Sequence, residues 1–186
     1  MNKELDLNSQ KEFFEAEKLF KEKKFNNSLT RYQNILKKFP NHPAVLNNIG
    51  QIFELQGKYE KAMEAFKKCH EINSNEKIFI HNLANIYFLR KDFINSMPLL
   101  KKIIDIGLDH EGNCEKYAIC LFNTKAFKET KDFITSIHLK YPKNDLLNRL
   151  LGRSLLNLNS HEEGLKYLQS SHGFIQLTPN GIKYLT

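Results

Sequence analysis

The chain has 186 residues, 41% hydrophobic and 26% charged, with 28 Lys and Arg against 21 Asp and Glu and a net charge of +7. That length holds one ordinary domain or one short repeat array, and that balance belongs to a folded chain rather than a disordered tail. The longest apolar runs, such as Ile78-Phe79-Ile80, are too short to span a bilayer, the start Met1-Asn2-Lys3-Glu4 has no apolar signal core, and three cysteines (Cys69, Cys114, Cys120) make no disulfide framework, so secretion is not expected and a reducing cytoplasm is the expected compartment.

Taken in chain order, the predicted elements repeat. The first helix pair, over 9–42, carries the small residue Ala16, then Phe25, Ser28 and Tyr32 nine, twelve and sixteen residues later. The second pair, 43–76, keeps the same offsets from Gly50: Tyr59, Ala62 and Phe66. The third, 77–110, has Ala84 followed by Phe93, Ser96 and Leu100, and the fourth, 111–144, has Ala118 followed by Phe127, Thr130 and Ile134. The fifth, 145–172, has Gly152 followed by His161, Gly164 and Leu168. Each copy lies 34 residues after the last, with no insertion or deletion. Small residues at two columns let helix backbones approach, and the apolar stripe Leu46, Ile49, Phe53 has the spacing of one helix face. Pro43 suits a first helical turn, and Gly57 suits a left-handed helix end. At the ends, Glu12 and Glu15 replace the columns of Leu46 and Ile49, and Ser171 replaces an apolar residue, as a terminated stack of repeats requires. Residues 173–186 leave the period. Thr178-Pro179-Asn180-Gly181 between two apolar runs predicts a β-hairpin, with a short helix from Pro179 as the alternative.

Leu46-x2-Ile49-Gly50-x2-Phe53 followed by Ala62-x3-Phe66 resembles the tetratricopeptide repeat, with aliphatics in place of the usual Trp and Leu, and the resemblance covers about residues 9–172. It implies an all-α right-handed superhelical solenoid of five tandem helix-turn-helix repeats over 1–172, with a C-terminal hairpin or extended tail over 173–186. It also implies that first helices line a concave groove that binds extended peptides. The groove candidates are Asn47, Asn48 and Gln51 in the second repeat, His81, Asn82, Asn85 and Phe88 in the third, Lys116 and Phe122 in the fourth, and Arg149 and Arg153 in the fifth.

Asn48 and Asn82 share a column, with Asn85 close by, and an amide that both donates and accepts can hold a peptide main chain. Such a ladder is similar to the asparagine-lined groove of O-linked N-acetylglucosamine transferase. Phe20, Phe88 and Phe122 share another column, where packing is a stronger expectation than ligand anchoring. The carboxylate clamp of heat-shock co-chaperones is not expected, because its positions hold Phe13, Glu17, Asn48, Ile78 and Asn82, of which only Asn48 fits. Arg149 and Arg153 lie four apart on one predicted helix with Lys116 one repeat away, which favours an acidic ligand toward the fourth and fifth repeats.

No phosphate loop, nucleophile elbow or His-Glu-x-x-His motif occurs, so no catalytic residue is assigned. His70, His138 and His172 share one column but stand one per repeat, too far apart for a common metal, and the cysteines read as buried thiols. Lysine pairs such as Lys37-Lys38 and Lys67-Lys68 are interleaved with acids on outer faces, so nucleic acid is not an expected partner. The expected function is a non-catalytic scaffold for a protein or peptide segment, without cofactor or metal. The alternative is a targeting module of a larger enzyme such as a glycosyltransferase or sulfotransferase.

Overall fold

The computed structural model describes residues 4–171, 174–178 and 181–185, with side chains through residue 171. In the described residues the order is α1 (Leu7–Lys21), α2 (Phe25–Lys38), α3 (Pro43–Leu55), α4 (Tyr59–Ile72), α5 (Lys77–Leu89), α6 (Phe93–Asp105), α7 (Glu111–Asn123), α8 (Phe127–Ile137), α9 (Asp145–Asn157), α10 (His161–Ser170), β1 (Phe174–Thr178) and β2 (Gly181–Leu185). The fold is all-α apart from the terminal strand pair.

The period seen in the sequence is the period of helix starts. α3, α5, α7 and α9 begin at residues 43, 77, 111 and 145, and α2, α4, α6, α8 and α10 begin on the aromatic column from Phe25 to His161. Only α1 departs from it, starting early at Leu7, where the Asp6 carboxylate accepts the Ser9 N–H at 2.7 Å. Pro43 opens α3 behind His42, whose ring Nδ1 accepts the Val45 N–H at 3.4 Å. Asn144 caps α9 by accepting the Leu147 N–H at 2.8 Å.

The turns that end the first helices are built alike. Lys23 (φ 60°), Gly57 (71°), Lys91 (60°), Lys125 (62°) and Asn159 (63°) all adopt the left-handed conformation at one repeat position. The next residue donates its N–H back across the turn, Lys24 to Leu19 O at 2.9 Å, Lys58 to Phe53 O at 2.8 Å, Ala126 to Leu121 O at 3.0 Å and Ser160 to Leu155 O at 2.9 Å. These bonds satisfy carbonyls that a helix end leaves open. The sequence pointed to Gly57 alone: the lysines carry no turn signal of their own, and Asn159, of a type that favours this conformation, was passed over.

The chain divides into two compact units, residues 1–91 and 92–186, and the division separates α5 from α6. In the first unit Ala16, Tyr32, Ile35, Val45, Ile49 and Ile52 form one cluster, and Leu46, Cys69 and Phe79 another. In the second, Ala118, Ile134, Leu147, Leu150, Leu151 and Leu155 form the core. The small columns are buried throughout: Ala16, Ala84 and Ala118 in the first helices, Ser28, Ala62, Ser96 and Thr130 in the second, all 0% exposed. The approach is closest at glycine. A Cβ at Gly50 would stand 2.5 Å from the Phe66 ring, and one at Gly152 would stand 2.8 Å from the Gly164 carbonyl oxygen. Where the second column is serine, the hydroxyl is used: Ser28 Oγ donates to Ala16 O at 2.8 Å.

Ser171 corrects the expectation of an open polar end. It is 1% exposed, with its hydroxyl donating to Leu168 O at 3.0 Å, so a short side chain is folded back onto its own helix. The strands pair antiparallel in the register Phe174↔Leu185 to Thr178↔Gly181, the hairpin reading of the tail rather than the helical one. Pro179 and Asn180, on which that reading turned, lie outside the described residues.

Candidate functional site

The candidate residues lie on first helices, and each unit holds its own set. In the first unit, Asn47, Asn48 and Gln51 are on α3, and His81, Asn82, Asn85 and Phe88 are on α5. The amides are engaged within the protein. Asn48 Nδ2 donates to the Tyr32 hydroxyl at 2.9 Å, Asn82 Nδ2 to Asn47 Oδ1 at 2.8 Å and Asn85 Nδ2 to Glu54 Oε1 at 2.7 Å. Asn47 and Asn82 are 7% and 8% exposed, so this pair is a buried bridge from α3 to α5. Asn48 ties α3 to α2 through Tyr32, whose hydroxyl burial pushes up to about 12 against the opposing effect of the Asn48 bond. The sequence singled out a column of asparagines. The contact it missed is diagonal, joining residues 35 apart rather than 34. Gln51, His81 and Phe88 are half-buried on the same helices.

In the second unit, Lys116 and Phe122 are on α7, and Arg149 and Arg153 are on α9. The Phe122 ring meets Phe127 edge-on at 5.4 Å and carries the Arg153 guanidinium 4.7 Å from its centroid. Phe20 repeats the first half of this arrangement, meeting Phe25 edge-on at 5.7 Å. The aromatic at this column therefore props the start of the following helix. At position 122 it also lies under a cation, a contact contributing about 0.5–1 kcal/mol at an exposed site. Lys116 and Arg149 are half-buried and Arg153 is exposed.

Among the described residues neither Arg149 nor Arg153 forms an ion pair. On α7, Glu111 and Glu115 both accept from Asn144 Nδ2, each at 2.7 Å. Arginine is scarce, with only Arg31, Arg90, Arg149 and Arg153 among the 28 basic residues, so two on adjacent turns of α9 concentrate the fork-shaped cation that pairs with carboxylates.

The cysteines are buried and unpaired with one another. Burial pushes Cys69 up to about 12 and Cys120 up to about 11, and raises Cys114, so none is a ready thiolate. No group of three or more His, Cys, Asp and Glu among the described residues is arranged to hold a metal ion. His172, one of the histidines in the shared column, lies outside the described residues. No helix in the described residues is long and apolar enough to cross a membrane.

Helix pairs with small residues at the two crossing columns, closed by a left-handed turn and repeating every 34 residues, define a class. The tetratricopeptide repeat family model matches residues 43–76. Solved structures of the same fold include YrrB, described as a TPR protein with an unusual peptide-binding site, at 14% identity over 86% of this chain and 82% of that one, with a TM-score of 0.79. They also include MamA AMB-1, at 15% identity over 90% of this chain and 91% of that one, TM-score 0.79, and a MamA RS-1 double mutant at 11% identity over 90% and 94%, TM-score 0.77. No curated protein matches the chain. The chain carries one repeat matched by that family's model, at 43–76, and shares the solenoid fold of these structures along most of its length.

Proposed function

We propose that the chain is a non-catalytic scaffold that binds an extended protein segment on the faces of its first helices, with acidic residues of that segment on α7 and α9. The observation that carries this reading is the arginine pair. Arg149 and Arg153 stand one turn apart without ion pairs among the described residues, and Arg153 is oriented by the Phe122 ring beneath it. A cation already desolvated on one face and fixed in direction loses less freedom on pairing with a carboxylate. Lys116 adds a third positive charge on α7. In the first unit the contact residues of this reading are Asn47, Asn48, Gln51, His81, Asn82, Asn85 and Phe88. Because Asn48, Asn82 and Asn85 already donate internally, their part in binding rests on the remaining amide capacity. YrrB, a neighbour in fold, is described as having a peptide-binding site, which supports reading this chain as a binder of peptide segments.

The test is selection from a random peptide display library on the intact chain. The expected peptides carry Asp or Glu, their affinity falls with added salt because exposed charges are screened within about 8–10 Å, and Arg149→Glu with Arg153→Glu abolishes most binding while helical circular dichroism is unchanged. Selected peptides without acidic bias, or binding that survives the double reversal, would overturn the assignment of α7 and α9.

A further inference from the structure

The turns after the first helices of the first unit carry exposed residues that are not among those proposed to contact a peptide. Gln56 Nε2 donates to Asn26 Oδ1 at 3.2 Å, and Arg90 reaches Glu60 Oε1 at 3.2 Å and Met63 Sδ at 3.1 Å. These contacts set the turns near residues 23, 57 and 91 side by side along one edge. On that edge Leu55 is 61% exposed and Leu89 42%, the last residues of α3 and α5 and the same position of two successive repeats. Tyr59, at the start of α4, is 36% exposed. Lys23, Lys58 and Lys91, one at each turn, are exposed around them, two at the left-handed position itself. The acids of the edge are occupied: Glu22 by Lys24 at 2.7 Å, Glu54 by Asn85 and Glu60 by Arg90.

Leucines in water are unfavourable, and an apolar protein partner that covered them would strip water from the lysines as well. A lipid surface suits both groups at once. Leucine and tyrosine enter the boundary between headgroups and acyl chains, and the lysine stems let their ammonium groups rest among anionic headgroups. We propose that this edge, with Leu55, Leu89 and Tyr59 framed by Lys23, Lys58 and Lys91, docks the protein peripherally on an anionic lipid surface. The contact is interfacial, with no spanning segment. An acidic protein would use the same lysines but has no use for the leucines.

The test is co-flotation of the full chain with vesicles of phosphatidylcholine alone and of phosphatidylcholine mixed with phosphatidylglycerol. Co-flotation is expected with the mixed vesicles only. Lys23→Glu with Lys91→Glu should lower the partition at least about 25-fold, at about fivefold per lysine near the surface, and Leu55→Ser with Leu89→Ser about tenfold, from lost apolar insertion. Arg149→Glu with Arg153→Glu changes the net charge as much as the lysine pair does and should leave the partition within about twofold. Helical circular dichroism monitors folding of each variant, and the four edge side chains that are substituted are all exposed. The proposal is overturned by no binding to the mixed vesicles, by an arginine variant as defective as the lysine variant, which shows undirected charge, or by a leucine variant that binds like the unaltered chain. Capture of the chain by immobilised polyglutamate through the lysines alone, without vesicle binding, would make the edge a site for acidic protein and would equally overturn it.

Discussion

Gly57 and the lysines at 23, 91 and 125 share one backbone conformation at different energies. At a φ near +60° an L side chain brings its Cβ against the following carbonyl, which costs about 1–2 kcal/mol and which glycine escapes. A Cβ at Gly57 meets nothing within 4 Å, so Gly57→Ala isolates the backbone effect. It should destabilise the first unit by about 1 kcal/mol. Lys91→Gly should act in the opposite direction by up to about 1 kcal/mol, the relief of the turn being partly offset by a freer unfolded chain. Urea midpoints of the two variants check both signs. Equal and same-signed shifts would mean that the lysine side chain, not the turn, sets the stability there.

At the scale of the helices, the asparagine bridge between α3 and α5 has an energetic asymmetry. Asn47 and Asn82 satisfy each other in a nearly dry setting. Removing one partner leaves a buried amide without its bond and costs about 1–3 kcal/mol, whereas replacing both by apolar groups of similar size is close to neutral. Asn82→Leu alone should therefore destabilise more than Asn47→Leu with Asn82→Leu together. A double-mutant cycle by chemical denaturation reads the coupling, and simple additivity would show that the bond contributes nothing. The expectation that an asparagine ladder stands open to a ligand meets its limit here. A column of like residues was visible in the sequence because it obeys the period. The partners of Asn48 and Asn82, namely Tyr32 and Asn47, were not, because inter-helix contacts run across columns. For the same reason the helix starts could be read from Phe25, Tyr59, Phe93, Phe127 and His161, while lysine at the left-handed positions could be read only by carrying Gly57 through the register. Ser171 was misplaced because a serine looks equally suited to an open end and to a buried carbonyl.

For the molecule as a whole, the sequence period and the compact units do not coincide. Five copies of one pattern run from about residue 9 to 172, yet α5 belongs with residues 1–91 and α6 with 92–186. Phe79, buried with Leu46 and Cys69, is one link that joins α5 to the preceding helices; the Asn82 bond to Asn47 is another. A fragment ending at Lys91 keeps both links, and one ending at Glu76, where the second repeat closes, loses both. Residues 1–91 should accordingly show a cooperative thermal transition and residues 1–76 a broader one at lower temperature, read by circular dichroism at equal concentration. A 1–76 fragment as cooperative as 1–91 would show that α5 adds little to the first unit.

Each left-handed corner sets backbone ease against surface charge. Three of the five left-handed corners that end first helices carry lysine: Lys23, Lys91 and Lys125. A lysine there carries the backbone cost of the left-handed bend together with its charge. Gly57 and Asn159 ease the bend but bring no charge to their corners. Selection on such a protein acts on corners one at a time, and each corner can settle separately between an unstrained bend and a cation offered to the surroundings.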